Sequence, residues 1–136
     1  MFLHVTFPSL LALEDLSLFV LRLVIAIVFG ASGYYDLKDP VGRARSIELS
    51  VPATKVIGVA EILGSIGLVT GILVQPAAMG LMLIGLGAVR KKVVTWKTGF
   101  WGDKASGWHY DLMLLSMNLV IVATAGGRWV VPLASP

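Results

Sequence analysis

Four long apolar runs, separated by polar segments, dominate the pattern of residues along this chain. The runs cover about residues 16–36, 55–74, 76–96 and 110–127. Each run approaches the ~20 residues that a helix needs to cross ~30 Å of hydrocarbon. We therefore predict an all-α integral membrane protein, a single-domain four-helix bundle with antiparallel, up-down order.

The segments between the runs predict how the helices are joined. Gln75-Pro76 leaves room only for a tight turn between the second and third spans. Loop 37–54 contains two helix-breaking prolines, Pro40 and Pro52, and residues 41–49 between them are compatible with a short interfacial helix. Loop 97–109 is glycine-rich and amphipathic.

Composition favours the membrane interpretation. The chain is 57% hydrophobic and 14% charged, with a mean hydropathy of +0.86, whereas soluble domains are about 45–50% apolar and about 25% charged. The absence of cysteine excludes disulfides, thiolate metal sites and thiol catalysis. The net charge of +3 does not indicate nucleic-acid binding, because the basic residues flank the apolar runs.

The basic residues also predict an orientation. The side that holds loops 37–54 and 97–109 carries nine of them, whereas the opposite side carries Arg128 alone. The positive-inside rule places these two loops in the cytoplasm and both termini outside, in a multi-pass protein of the inner (plasma) membrane. Arg90, Lys91 and Lys92 are predicted to anchor this topology and to contact anionic lipids. The nine residues are Lys38, Arg43, Arg45, Lys55, Arg90, Lys91, Lys92, Lys97 and Lys104.

Polar residues inside three of the runs are the candidate functional groups. Arg22 interrupts the first run and Glu61 the second. An ionisable group at this depth is costly unless it faces the bundle interior and finds a partner. We therefore hypothesise an intramembrane Arg22–Glu61 pair, which either fixes helix register or forms a polar site for a quinone head group, a proton or a small anion. Asn118, in the fourth run, is predicted to form an interhelical hydrogen bond.

A second group of polar residues is predicted below Glu61. Asp36, His109 and Asp111 should cluster at the cytoplasmic mouth of the bundle, where solvation at helix ends is the favoured explanation for them. His109 has a side chain that can exchange a proton near neutral pH. The other histidine, His4, is predicted on the opposite side of the membrane, so we predict neither a bis-histidine haem nor a metal site. No catalytic motif was identified, and the catalytic residues stay unknown.

Three segments resemble known motifs. Leu21–Gly33 (LRLVIAIVFGASG) resembles the first-helix motif of the DoxX family of small four-helix membrane proteins. Ala60–Leu68 (AEILGSIGL), followed by Gly71, resembles the second-helix signature of that family, including its glutamate. Gly126–Trp129 (GGRW) resembles the ending that follows the fourth helix. The resemblance extends over about residues 16–130.

The chain departs from the family pattern in the first helix. Ser32 stands where many members have a histidine, and residues 34–38 (YYDLK) replace a Gly-x-x-Lys continuation. A redox or proton role of that histidine is therefore not expected in this chain.

The resemblance implies a quinone-linked redox setting. The family takes its name from a subunit linked to thiosulfate:quinone oxidoreduction, and other members belong to membrane oxidoreductase systems. We expect an accessory subunit of a membrane redox complex, in contact with lipids and other subunits, and without a covalently bound cofactor. Contact with a quinone or lipid is compatible with this role. The alternatives are a catalytic quinone-site subunit that uses Arg22, Glu61, His109 and Asp111, and a small transporter or proton pathway.

Overall fold

The structure is a computed structural model that describes residues 4–103 and 106–130. Lys104, one of the basic residues predicted to be cytoplasmic, lies outside the described residues. Within them the fold is all-α, as predicted, and the β pairing is confined to an isolated bridge between Gly102 and Ser106. The elements are a 3₁₀-helix (Pro8–Leu13), α1 (Glu14–Lys38), α2 (Pro40–Ile47), α3 (Val51–Thr70), α4 (Val74–Arg90), a π-helix (Lys91–Thr95) and α5 (Trp108–Thr124).

Side-chain caps start the two helices that follow α1. The Asp39 carboxylate accepts a hydrogen bond from the Gly42 amide (3.1 Å) at the start of α2. The Ser50 hydroxyl accepts one from the Ala53 amide (3.2 Å) at the start of α3. The prolines of this segment stand in the first turns of these helices, where a missing N–H removes no helical hydrogen bond. They therefore begin helices here rather than interrupt them.

The turn between α3 and α4 lies earlier than predicted. It consists of residues 71–73, with Gly71 (φ 83°) and Leu73 (φ 51°) in left-handed conformations. Gln75 and Pro76 belong instead to the first turn of α4, where proline is tolerated. The Gln75 amide donates a hydrogen bond to the Val122 carbonyl (2.8 Å), which joins α4 to α5.

Small residues bring α1 and α3 into close contact. A Cβ atom added to Gly33 would lie 2.7 Å from the Gly58 carbonyl oxygen, and one added to Gly58 would lie 2.9 Å from the Asp36 Cβ. Helix α4 packs mainly on α5, so the helices form two pairs that share one core. The buried residues of this shared core are Ile25, Ala26, Phe29, Leu68, Val74, Ala78, Leu81, Leu114 and Ile121.

The outer surfaces of the helices are apolar. Two segments, Pro8–Lys38 and Val51–Thr70, are long and apolar enough to cross a membrane. Helices α4 and α5 are shorter, at 17 residues each. Large apolar side chains project outward from α1, α3, α4 and α5, an arrangement that is rare on soluble monomers. Examples are Ile27, Val56, Leu63, Leu83 and Met113.

Candidate functional site

A cavity of about 840 Å³ is lined by residues of α1 to α5 and the π-helix. Apolar side chains form most of its wall, including Val28, Phe29, Ile57, Ile84 and Leu114. Ionisable and hydroxyl side chains line the remainder. The arrangement is typical of small-molecule sites, which combine apolar walls with a few polar groups that orient the ligand.

The carboxyl group of Glu61 lies at the centre of the first polar cluster. Glu61 is 3% exposed, and the Ser32 hydroxyl donates to its Oε1 atom (3.3 Å). Arg43 donates to the Ser32 hydroxyl through Nη2 (3.4 Å) and to the Asp36 carboxylate through Nε (2.7 Å). Asp36 is also a close electrostatic neighbour of Glu61. Ser32 thus connects the buried carboxyl to a charged pair.

A second charged pair lies at the same cavity. Lys92 Nζ is 2.8 Å from the Asp111 carboxylate, and both side chains are largely buried. The same Lys92 ammonium lies 5.6 Å from the centroid of the Tyr110 ring. This pair joins the π-helix to the first turn of α5.

The hypothesised Arg22–Glu61 pair is not formed. Neither of the two ion pairs within the described residues involves Arg22 or Glu61. Glu61 contacts Ser32, which follows Arg22 by ten residues on α1, a rise of about 15 Å. This separation exceeds the reach of the two side chains.

Arg22 has a different environment at the far end of α1. Its side chain is completely buried, and Nη2 donates to the Trp129 carbonyl. The guanidinium lies 5.2 Å from the centroid of the Phe19 ring. Its Nε and Nη1 atoms have no hydrogen-bond partner in the described part of the chain. Arg22 therefore tethers the segment after α5 and lies outside the cavity.

Two further candidates also have other partners than expected. Asn118 is buried, but its amide donates to the Leu114 carbonyl (3.0 Å) of its own helix and not across helices. His109 does not join Asp36 and Asp111 at the cavity, because its Nδ1 lies 2.7 Å from the Phe100 carbonyl oxygen. The Phe100 and Trp101 rings pack against the imidazole at the start of α5.

The predicted anchors divide into three environments. Arg90 is exposed, Lys91 donates to the Glu48 carbonyl (2.6 Å), and Lys92 turns inward to Asp111. The contributions of Arg43 and Lys92 to the site were not anticipated. A usable signal for Arg43 was Asp39-Pro40, a capping residue followed by an N1 proline, which predicts that a new helix containing Arg43 begins directly after α1.

The fold and the cavity define a class of small helical protein with an apolar exterior and buried charges around an internal cavity. The family model of DoxX matches residues 17–96, more than half of the chain, from α1 through the π-helix. The chain therefore belongs to the DoxX family and is a small membrane protein. No curated protein and no solved structure gave a match.

The Lys92–Asp111 pair yields a prediction about stability. Replacing Lys92 by Met should lower the free energy of unfolding by about 3–5 kcal/mol, because it leaves Asp111 buried without its counter-ion. Denaturant titration in mixed micelles measures the change. Arg90→Met is the matched control, since Arg90 is exposed in the same basic run. The double variant Lys92→Met/Asp111→Leu should recover most of the loss, and wild-type stability of Lys92→Met would contradict the role of the pair.

Proposed function

We propose that this chain is an accessory subunit of a quinone-linked redox complex in the inner (plasma) membrane, and that its cavity binds the quinone. The cavity is the observation that carries the proposal. Its volume of about 840 Å³ falls in the range of small-molecule pockets, about 300–1,000 Å³. The apolar wall suits a quinone ring and its chain, and the Glu61 cluster suits the polar head group.

The polar cluster supports binding and orientation rather than electron transfer. Ser32, Glu61 and Arg43 offer a hydroxyl, a carboxyl and a guanidinium, which can donate to or accept from quinone oxygens. None of these groups stores an electron. The electrons that reduce or oxidise a bound quinone would therefore come from another subunit, which is why we assign an accessory role.

We also propose that α1, α3, α4 and α5 each cross the membrane, in antiparallel order. The π-helix extends α4 to a helical segment that runs from Val74 to Thr95. The charged cluster and the π-helix would lie at the cytoplasmic end, where the basic loops 37–54 and 97–109 are predicted. Both termini would then face outside.

Single cysteines test this topology, because the chain contains none of its own. Ser46→Cys in α2 and Ser9→Cys in the 3₁₀-helix both replace exposed serines. In intact cells a membrane-impermeant maleimide should label Cys at position 9, whereas position 46 should react only after the membrane is opened. Labelling of both positions from the outside would contradict the four-crossing arrangement.

Glu61→Leu tests the head-group site. The substitution should weaken quinone binding about two- to ten-fold, since an intermolecular hydrogen bond contributes about 0.5–1.5 kcal/mol net. Titration of the detergent-purified protein with a quinone, followed by tryptophan quenching, gives the affinity. Glu14→Leu makes the same change at an exposed glutamate and should bind as the wild type does. Equal affinities for Glu61→Leu and wild type would rule out this cluster as the head-group site.

Glu61→Gln separates an accessory role from a catalytic one. The amide still hydrogen-bonds but does not exchange a proton, so an accessory subunit should retain assembly and quinone turnover in native membranes. A loss of turnover with intact quinone binding would favour the catalytic alternative.

Mild-detergent purification should also yield the chain together with a larger oxidoreductase subunit, and its isolation strictly alone would contradict the accessory role.

A further inference from the structure

Helices α3 and α4 are close together near their connecting turn. A Cβ atom added to Gly67 would lie 3.1 Å from the Ala77 Cβ, and one added to Gly64 would lie 3.0 Å from Leu81. This region leaves no room for a ligand between the two helices.

The same two helices separate towards the cavity. Gly87, two turns before the end of the π-helix, lines the cavity, yet no heavy atom of the described residues would lie within 4 Å of a Cβ added there. Leu83, one turn earlier on α4, also lines the cavity and is 71% exposed. Ile57 of α3 lines the facing side. Leu83 therefore borders both the cavity and the outer surface of the bundle, beside the gap between α3 and α4.

Two other interhelical gaps are narrower at this level. The α1–α3 gap is filled by the Gly33–Gly58 contact, where an added Cβ has no room. In the α4–α5 gap, a Cβ atom added to Gly85 would lie 3.4 Å from Leu115 Cδ2, which is an ordinary van der Waals contact. At Gly87 the gap between α3 and α4 is therefore more open than the α1–α3 and α4–α5 gaps.

The wide end of the α3–α4 gap is bridged by Glu48. Its carbonyl accepts a hydrogen bond from Lys91 Nζ (2.6 Å), and its carboxylate accepts one from the Trp96 indole N–H (2.8 Å). Glu48 ends α2 just before α3 begins, whereas Lys91 and Trp96 follow α4. These two hydrogen bonds, the Glu48 latch, tie the cytoplasmic ends of the gap together next to the cavity-lining Leu49.

We propose that the gap between α3 and α4 at Gly87 is a lateral portal, through which a membrane-dissolved amphiphile with an apolar chain reaches the Glu61 cluster from the bilayer. The Glu48 latch closes the alternative route from the aqueous side. The polar head group of the amphiphile enters the cavity first, and its apolar chain then lies between Leu83 and Ile57. The inference deepens the proposed function, and it rests on that function only for the identity of the amphiphile as a quinone.

A single thiol inside the cavity tests the portal without a quinone. Ser32→Cys places the thiol at the cluster and is the background for all variants. In proteoliposomes the thiol is reacted with a lipid-soluble N-alkyl maleimide or with a charged, water-soluble sulfonated maleimide. We expect faster labelling by the N-alkyl reagent, and Gly87→Leu should slow that labelling several-fold because its side chain fills the portal.

Gly80→Leu provides the matched control. Gly80 lies seven residues before Gly87 on the same face of α4, has equally open space around it among the described residues, and does not line the cavity. Its substitution should leave both labelling rates unchanged. Glu48→Ala should raise labelling by the sulfonated reagent alone, because it releases the latch.

Three results would overturn the portal. They are an unchanged N-alkyl rate in Gly87→Leu, an equal slowing in Gly80→Leu, and a thiol that reacts with neither reagent in the folded protein but reacts after denaturation. Failure of the wild-type protein to bind quinone would refute the proposed function, yet it would leave the labelling pattern intact. The two failures are therefore distinguishable.

Discussion

The burial of the Glu61 carboxyl in an apolar bundle is the constraint on which the rest of the site depends. A carboxyl group with neither water nor polar partners would destabilise the fold by several kcal/mol. Ser32 supplies a hydrogen bond, and Arg43 reaches Ser32 and Asp36 because α2 folds back across the end of α1. The cap at Asp39 and the proline after it are therefore as necessary to the polar cluster as the glutamate itself.

Close packing at some helix contacts and open space at others shape the whole molecule. Glycines on facing sides of α1 and α3 allow near contact of the backbones, which fixes the position of Glu61 beside Ser32. Further along the bundle α4 turns away from α3, and the π-helix directs Lys92 inward to Asp111. A π-helical turn is often found where a functional group must be re-aimed. Tight packing at one end and separation at the other together produce the cavity.

The sequence was sufficient for the all-α class, the family and the burial of Glu61, because these depend on local pattern and on short motifs. It also placed Asp36 and Asp111 near one end of the bundle. It did not reveal their partners, since Arg43 and Lys92 reach the cavity through the packing of α2 and through the π-helix. The Arg22–Glu61 hypothesis was wrong. The opposite charges and the expected burial of the two residues suggested a pair, but their relative depth along the bundle depends on how α1 and α3 are aligned.

The proposed function places a quinone head group beside Glu61, inside the cavity. Photo-crosslinking with an azido-quinone in native membranes, followed by peptide mass spectrometry, tests it most directly. Binding at this position should give adducts on cavity-lining residues such as Ser32, Ile84 and Tyr110, and unmodified quinone should compete with them. Adducts confined to the outward-facing surface, at residues such as Ile27 or Met113, would contradict it.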